Sequence, residues 1–218
     1  MDVAELRWNR RHCIALLLAA AGSGACAAAP VARRELLVLG DSLSAEYGLK
    51  RGTGWVALLQ ARLAERKVAA NLVNASISGE TTSGGRSRLG ALLAQHRPTH
   101  VVIELGGNDA LRGLPLSMTQ ANLLAMVQMA RQAGCKVLLI GMQVPPNYGP
   151  QYARDFAALF PAVAKREQVA LVAFLLAGLA DEADPLRWFQ ADRIHPVEAA
   201  QPRMLDTVWP VLSPWLQR

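Results

Sequence analysis

The chain is predicted to form a three-layer α/β/α sandwich on a five-stranded parallel sheet, and three observations carry that prediction. Short, continuously apolar runs recur along it, beginning with Leu36, Leu37, Val38 and Leu39. Continuous rather than alternating apolar character marks strands buried on both faces, as in parallel sheets. Between the runs lie stretches with apolar residues at helical spacing, and strand, helix, strand within about forty residues is a βαβ unit with a right-handed crossover. Each run also ends in turn-forming residues, so several loops open on the carboxyl edge of the sheet, where ligands bind in open α/β folds.

The elements follow in order. Residues 36–39 form the first strand, ended by Gly40, which delivers Asp41 and Ser42 onto a turn. Residues 54–66 place Trp55, Leu58, Leu59 and Leu63 at helical spacing, and residues 68–73 are the second strand. Its exit, residues 74–82, is rich in small polar residues and contains Gly79; a helix capped by Ser78 or Thr81 then runs through Gln95. His100–Glu104 is the third strand, leaving through Gly106, Gly107, Asn108 and Asp109. An apolar loop with Leu111, Leu114 and Leu116 leads to a helix over residues 118–132 that turns Leu123, Met126, Val127 and Ala130 inward. Residues 136–141 are the fourth strand, followed by the proline-containing loop 142–149, a helix through Gln168 and a fifth strand over residues 170–174. Residues 181–195 are less regular, and Pro196 is expected to open the terminal helix, where a missing N–H is harmless. With the flavodoxin-like order 2-1-3-4-5, the first three strands stand side by side.

Composition narrows the function classes. Of 218 residues, 52% are hydrophobic and 18% charged, which excludes disorder, and the length fits one domain over residues 30–218. The net charge of +6 is scattered with no Lys/Arg block, so no nucleic-acid partner is expected. Arg7, Arg10 and Arg11 precede an apolar stretch over residues 13–21, and Ala25-Cys26-Ala27 supplies an A-x-A site. Residues 1–29 are therefore expected to be a secretory signal peptide cleaved near 27–29, with a lipidated Cys26 as the rival reading. The mature protein is expected in the periplasm or outside the cell, without a stable membrane span, and as a monomer. Cleavage removes three cations and two anions, leaving about +5, and removes Cys13 and Cys26. Cys135 is then alone and reads as a buried apolar side chain at the wrong end of its strand for chemistry.

The polar residues at the strand exits suggest nucleophilic catalysis. A serine hydroxyl is a poor nucleophile unless a base lies in hydrogen-bond reach, a third group orients the base, and donors await the oxyanion. Of the four histidines, His12 leaves with the signal and His96 and His100 precede the third strand, at the amino edge. His195 remains, on the carboxyl side with Ser42, and Asp192 three residues earlier is placed to hold its ring or, in the bland reading, to form an Asx turn before a helix. Gly79 and Asn108 suit oxyanion donors, though either also suits an ordinary turn or cap. The His and Cys spacings hold no metal pattern, and no cofactor is expected. A phosphate-binding module is disfavoured because neither G-x-G-x-x-G nor G-x-x-x-x-G-K-[ST] occurs, and the α/β-hydrolase elbow G-x-S-x-G is also absent.

Taken together, these blocks resemble the SGNH (GDSL-type) hydrolase family across essentially all of residues 30–218. Gly40-Asp41-Ser42-Leu43-Ser44 is similar to the first family block, Gly79 to the second, Gly107-Asn108-Asp109 to the third, and Asp192-x-x-His195-Pro196 to the last. The run through Tyr47-Gly48, and Ile194-His195-Pro196 with Ala200-Gln201-Pro202, resemble the bacterial periplasmic thioesterase I/lysophospholipase group, often labelled arylesterases. The resemblance implies an SGNH fold, an esterase and thioesterase acting on small ester or lysophospholipid substrates, Ser42 as nucleophile, His195 as base and Asp192 as its partner. It also implies oxyanion donors from the Ser42 N–H, the Gly79 N–H and the Asn108 amide. An O-acetylesterase acting on carbohydrate or cell-wall polymers is the alternative within the family. Arg193 stands where the group usually has Gly and brings a cation beside the site. Leu111, Leu114, Leu116 and the loop 142–148 with Tyr148 are expected to form the acyl-binding wall.

Overall fold

The structure is a computed structural model that describes residues 34–217. The signal-peptide reading of residues 1–29 lies outside the described residues. Five parallel strands, β1 (Arg34–Gly40), β2 (Ala70–Asn74), β3 (His100–Glu104), β4 (Lys136–Ile140) and β5 (Ala170–Val172), pair in the order β2-β1-β3-β4-β5, as expected. The continuous apolar runs make sense in this sheet because consecutive side chains point to opposite faces and both faces are covered. Leu37, Leu39, Val101, Ile103, Val137 and Leu139 pack against α2 (Thr82–His96), α4 (Leu116–Gln132) and α5 (Pro150–Glu167). Their neighbours Leu36, Val38, Val102, Leu138 and Ile140 pack against α1 (Trp55–Glu65) and α6 (Gln201–Gln217).

Boundaries shift where local packing overrides pattern. The second strand starts two residues later than predicted, at Ala70, because Lys67 takes a left-handed φ of +54° that ends the preceding turn. Thr81, not Ser78, caps α2, its side chain accepting from the Gly84 N–H. A short helix unforeseen in the sequence, α3 (Gly107–Leu111), occupies the third exit. Five residues cannot sustain a helix alone; the buried Asp109 carboxylate secures it by accepting from the Thr82 N–H at 2.8 Å and from the Thr82 and Thr119 hydroxyls.

Pro196 does not open the terminal helix. It pairs in an antiparallel bridge with Phe189, Val197 N–H donates to the Trp188 carbonyl at 2.9 Å, and α6 starts at Gln201 after a 3-10 turn at Glu198–Ala200. The bridge exploits the fixed φ and missing donor of proline just as a helix start would, so the local signal was ambiguous. Cys135 is buried, with its thiol donating to the Pro98 carbonyl, and burial pushes that thiol up from its usual range. No helix among the described residues is long and apolar enough to cross a membrane.

Candidate active site

The exits of β1, β3, β4 and β5 line one cleft. Ser42 follows β1 on a tight turn in which the Ser44 and Ala45 N–H groups donate to the Asp41 carbonyl. Gly40 is required there by close approach: a Cβ on it would stand 2.6 Å from Glu104 Oε2 and 2.9 Å from the Ser44 side chain. Those neighbours lock the turn from beneath. The Ser44 hydroxyl donates to Glu104 Oε2 at 2.6 Å, the Trp55 indole N–H donates to Ser44 Oγ at 3.2 Å, and the Asp41 N–H reaches Glu104 Oε2 at 3.3 Å.

Across the cleft, His195 Nε2 lies 2.8 Å from Ser42 Oγ and Nδ1 lies 2.6 Å from Asp192 Oδ2. The other Asp192 oxygen accepts from the N–H groups of Ile194 and His195 at 2.9 and 3.0 Å. Asp192 thus forms the Asx turn and holds the imidazole as well; the two sequence readings describe its two oxygens. Partial burial alone would raise this carboxyl, but those two backbone N–H bonds, together with the imidazole, hold it below the usual carboxylate range. Arg193 occupies a left-handed φ of +59° at the corner of the turn. The Tyr47 ring covers the imidazole, with centroids 4.3 Å apart.

The Ser42 and Gly79 N–H groups donate to no acceptor among the described residues. Asn108 donates one amide N–H to Asp41 Oδ2 at 3.0 Å, which leaves the second for another acceptor. Asp41 is the group that sequence reasoning passed over. Its other oxygen accepts from the Leu43 N–H at 3.0 Å, so one carboxylate orients both the nucleophile turn and Asn108. Burial pushes Asp41 up to about 6, and burial with the adjacent Asp41 charge pushes Glu104 well above the carboxylate range.

A cavity of about 440 Å³ opens beside Ser42 and His195, a size suited to a small-molecule ligand. Its walls come from the loops after β3, β4 and β5: Leu111, Met142, Val144, Leu175, Leu186 and Phe189, with Arg193 and Ile194 beside the imidazole. Of the expected wall, Leu111 lines it, and so does the loop 142–148 through Met142, Gln143, Val144 and Pro145. Leu114 does not, Leu116 packs against the core, and Tyr148 stacks on Tyr152 at 5.9 Å. The segment after β5 takes their place because the Phe189–Pro196 bridge folds it back over the sheet edge.

Known proteins resemble this chain over most of its length. Residues 38–201 match the GDSL-like Lipase/Acylhydrolase family. The chain is 54% identical to esterase TesA of Pseudomonas aeruginosa over 185 residues, covering 85% of this chain and 90% of that protein. It is 40% identical to thioesterase 1/protease 1/lysophospholipase L1 of Escherichia coli strain K12 over 179 residues, covering 82% of this chain and 83% of that protein. A crystal structure of TesA, also 54% identical, covers 84% of this chain and 99% of that one with a TM-score of 0.80. The family match alone takes in more than half of the chain, and the sheet order and strand-exit blocks agree with it: the protein belongs to the GDSL-like lipase/acylhydrolase family and is an SGNH-type ester hydrolase.

Proposed function

We propose that the protein hydrolyses carboxylic esters and thioesters of apolar acyl groups through a Ser42–His195–Asp192 triad and an acyl-enzyme. The observation that carries this reading is the hydrogen-bond line from Asp192 through His195 to Ser42 at the edge of an apolar cavity. Ser42 Oγ attacks the acyl carbonyl carbon while His195 Nε2 takes its proton, and Asp192 stabilises the imidazolium. The tetrahedral oxyanion is met by the Ser42 N–H, the Gly79 N–H and the free Asn108 amide hydrogen. Collapse expels the alcohol or thiol with the proton returned by His195, and water then releases the acyl chain by the same steps in reverse.

The apolar cavity wall favours a hydrocarbon chain over a sugar, and the names borne by the relatives add thioesters and lysophospholipids as candidate substrates. The sequence of residues 1–29 supports export to the periplasm, where a monomer would meet such lipids. The experiment is hydrolysis of p-nitrophenyl esters from acetyl to palmitoyl and of the corresponding acyl thioesters, with Ser42→Ala alongside. Activity peaking at medium or long chains and falling by about 10⁴-fold or more in Ser42→Ala is the expected outcome. A steep acetyl preference would favour the carbohydrate O-acetylesterase, and undiminished turnover in Ser42→Ala would refute the mechanism.

A further inference from the structure

The Gly79 N–H belongs to the turn 77–80. Glu80 N–H donates to the Ile77 carbonyl at 3.1 Å, and Gly79, the third residue of the turn, has φ +78°. Ser78 has no positive φ, which makes the turn type II rather than I′. Types I and II differ chiefly by roughly a half-turn of the central peptide, here Ser78–Gly79. The Gly79 N–H belongs to that peptide and the Gly79 carbonyl to the next one, so the direction of this donor depends on how the main chain of the turn is held. A Cβ on Gly79 would come no nearer than 3.6 Å to its neighbour, so a side chain is opposed there by φ and not by a clash.

Arg112, the residue that ends α3, reaches this turn. Its Nη2 donates to the Gly79 carbonyl at 2.8 Å, and its own backbone N–H donates to the Asn108 carbonyl at 3.2 Å. One residue therefore bonds to the main chain of both Gly79 and Asn108. Among the described residues its guanidinium has no ion-pair partner, so the carbonyl is where this cation is engaged.

We propose that Arg112 is a positioning residue for the oxyanion hole: by gripping the Gly79 carbonyl with its side chain while its own N–H holds the Asn108 carbonyl, it fixes the main chains of the two proposed donors relative to each other. This inference rests on the proposed esterase mechanism and adds a residue that touches no substrate atom. The Thr82–Asp109 bonds anchor the start of α2 to α3 on the inner side, and Arg112 fastens the outer side, where water competes.

The test uses Arg112→Met, which keeps the aliphatic stem, and Arg112→Lys, which keeps a cationic donor. Arg112→Met is expected to lower kcat about 10-fold, below the 10²–10³ of complete donor loss, with KM changed less than about 2-fold. Arg112→Lys is expected to recover part of the loss. Phosphonylation of Ser42 by a p-nitrophenyl alkylphosphonate should slow by the same factor, because its phosphoryl oxygen enters the same hole. The side chain is exposed, so the thermal midpoint should hold. A raised KM with unchanged kcat would overturn the inference in favour of a substrate contact. A loss that vanishes in about 0.5 M NaCl would overturn it in favour of a remote charge effect. Full activity in Arg112→Met beside an inactive Ser42→Ala defeats this inference alone, whereas an active Ser42→Ala defeats the mechanism beneath it.

Discussion

The two halves of the candidate site are held by different physics. Ser42 and Asn108 sit on turns rooted in the core: Asp41 is 2% exposed and Glu104 fully buried, and a ladder of hydrogen bonds through Ser44 and Trp55 pins them. His195 and Asp192 sit on the long segment after β5, where Asp192, Arg193 and Ile194 are all exposed. That segment is tied down at the surface. Glu182 accepts from Arg187, Arg203 and the Trp188 indole, and both arginines stack on the Trp188 ring at 4.8 and 4.7 Å. Hydrogen bonds from Trp188 and the two arginines hold Glu182 down to about 2. Ser42 and Asn108 are thus fixed by packing, and His195 by a charged clasp that water and salt can reach.

The largest predicted break lies on the buried side. Gly40→Ala drives a methyl into Glu104 and Ser44, so it should cost about 2–3 kcal/mol in urea unfolding and abolish ester hydrolysis by displacing Ser42. Acid sharpens the contrast next. The Asp41 carboxyl is raised to about 6 in the folded protein, so its stabilising contribution is complete below about 4 and is lost as pH rises through about 6. His100, buried at the opposite edge and lowered to about 4, has the opposite sense. The informative quantity is therefore the stability of wild type minus that of Asp41→Asn, which should grow by about 2–3 kcal/mol between pH 7 and pH 4. Asp192 and Glu182, both lowered, lose their contributions only as pH falls below the ordinary carboxylate range, so the base side should fail in stronger acid.

On the exposed side, Glu182→Gln should lower kcat about 5-fold while shifting the thermal midpoint by no more than about 2 °C, since the clasp positions His195 without building the core. The smallest effect is expected from Arg193→Gly. Relief of its left-handed backbone should stabilise the fold by about 0.5 kcal/mol in chemical denaturation. Loss of its charge from the cavity mouth should raise KM for a phosphate-bearing acyl thioester relative to a neutral p-nitrophenyl ester.

The same division explains what the sequence could reveal. The core side was legible because apolar runs, their Gly endings and the residues after them are local signals; β3 was placed to the residue, and Ser42, Gly79 and Asn108 fall at adjacent strand ends. The cavity wall was legible only at Leu111 and the loop after β4, because Leu175, Leu186, Phe189 and Ile194 show no period and lie on the segment that the Phe189–Pro196 bridge folds back. Asp41 and Arg112 escaped for a related reason. Each acts by a hydrogen bond spanning tens of residues, to Asn108 and to the Gly79 carbonyl, and nothing in its immediate neighbours announces the partner.

The hydrogen bond between Ser42 and His195 joins residues 153 positions apart, from the exit of the first strand to just before the last helix. With the proposed triad, chemistry is a late event in the life of the chain. A polypeptide emerging from synthesis carries Ser42, Gly79 and Asn108 long before it carries His195, and domains fold as units. Under the proposed mechanism every amino-terminal fragment short of residue 195 lacks its base, so ester hydrolysis waits until nearly all of the chain has been made.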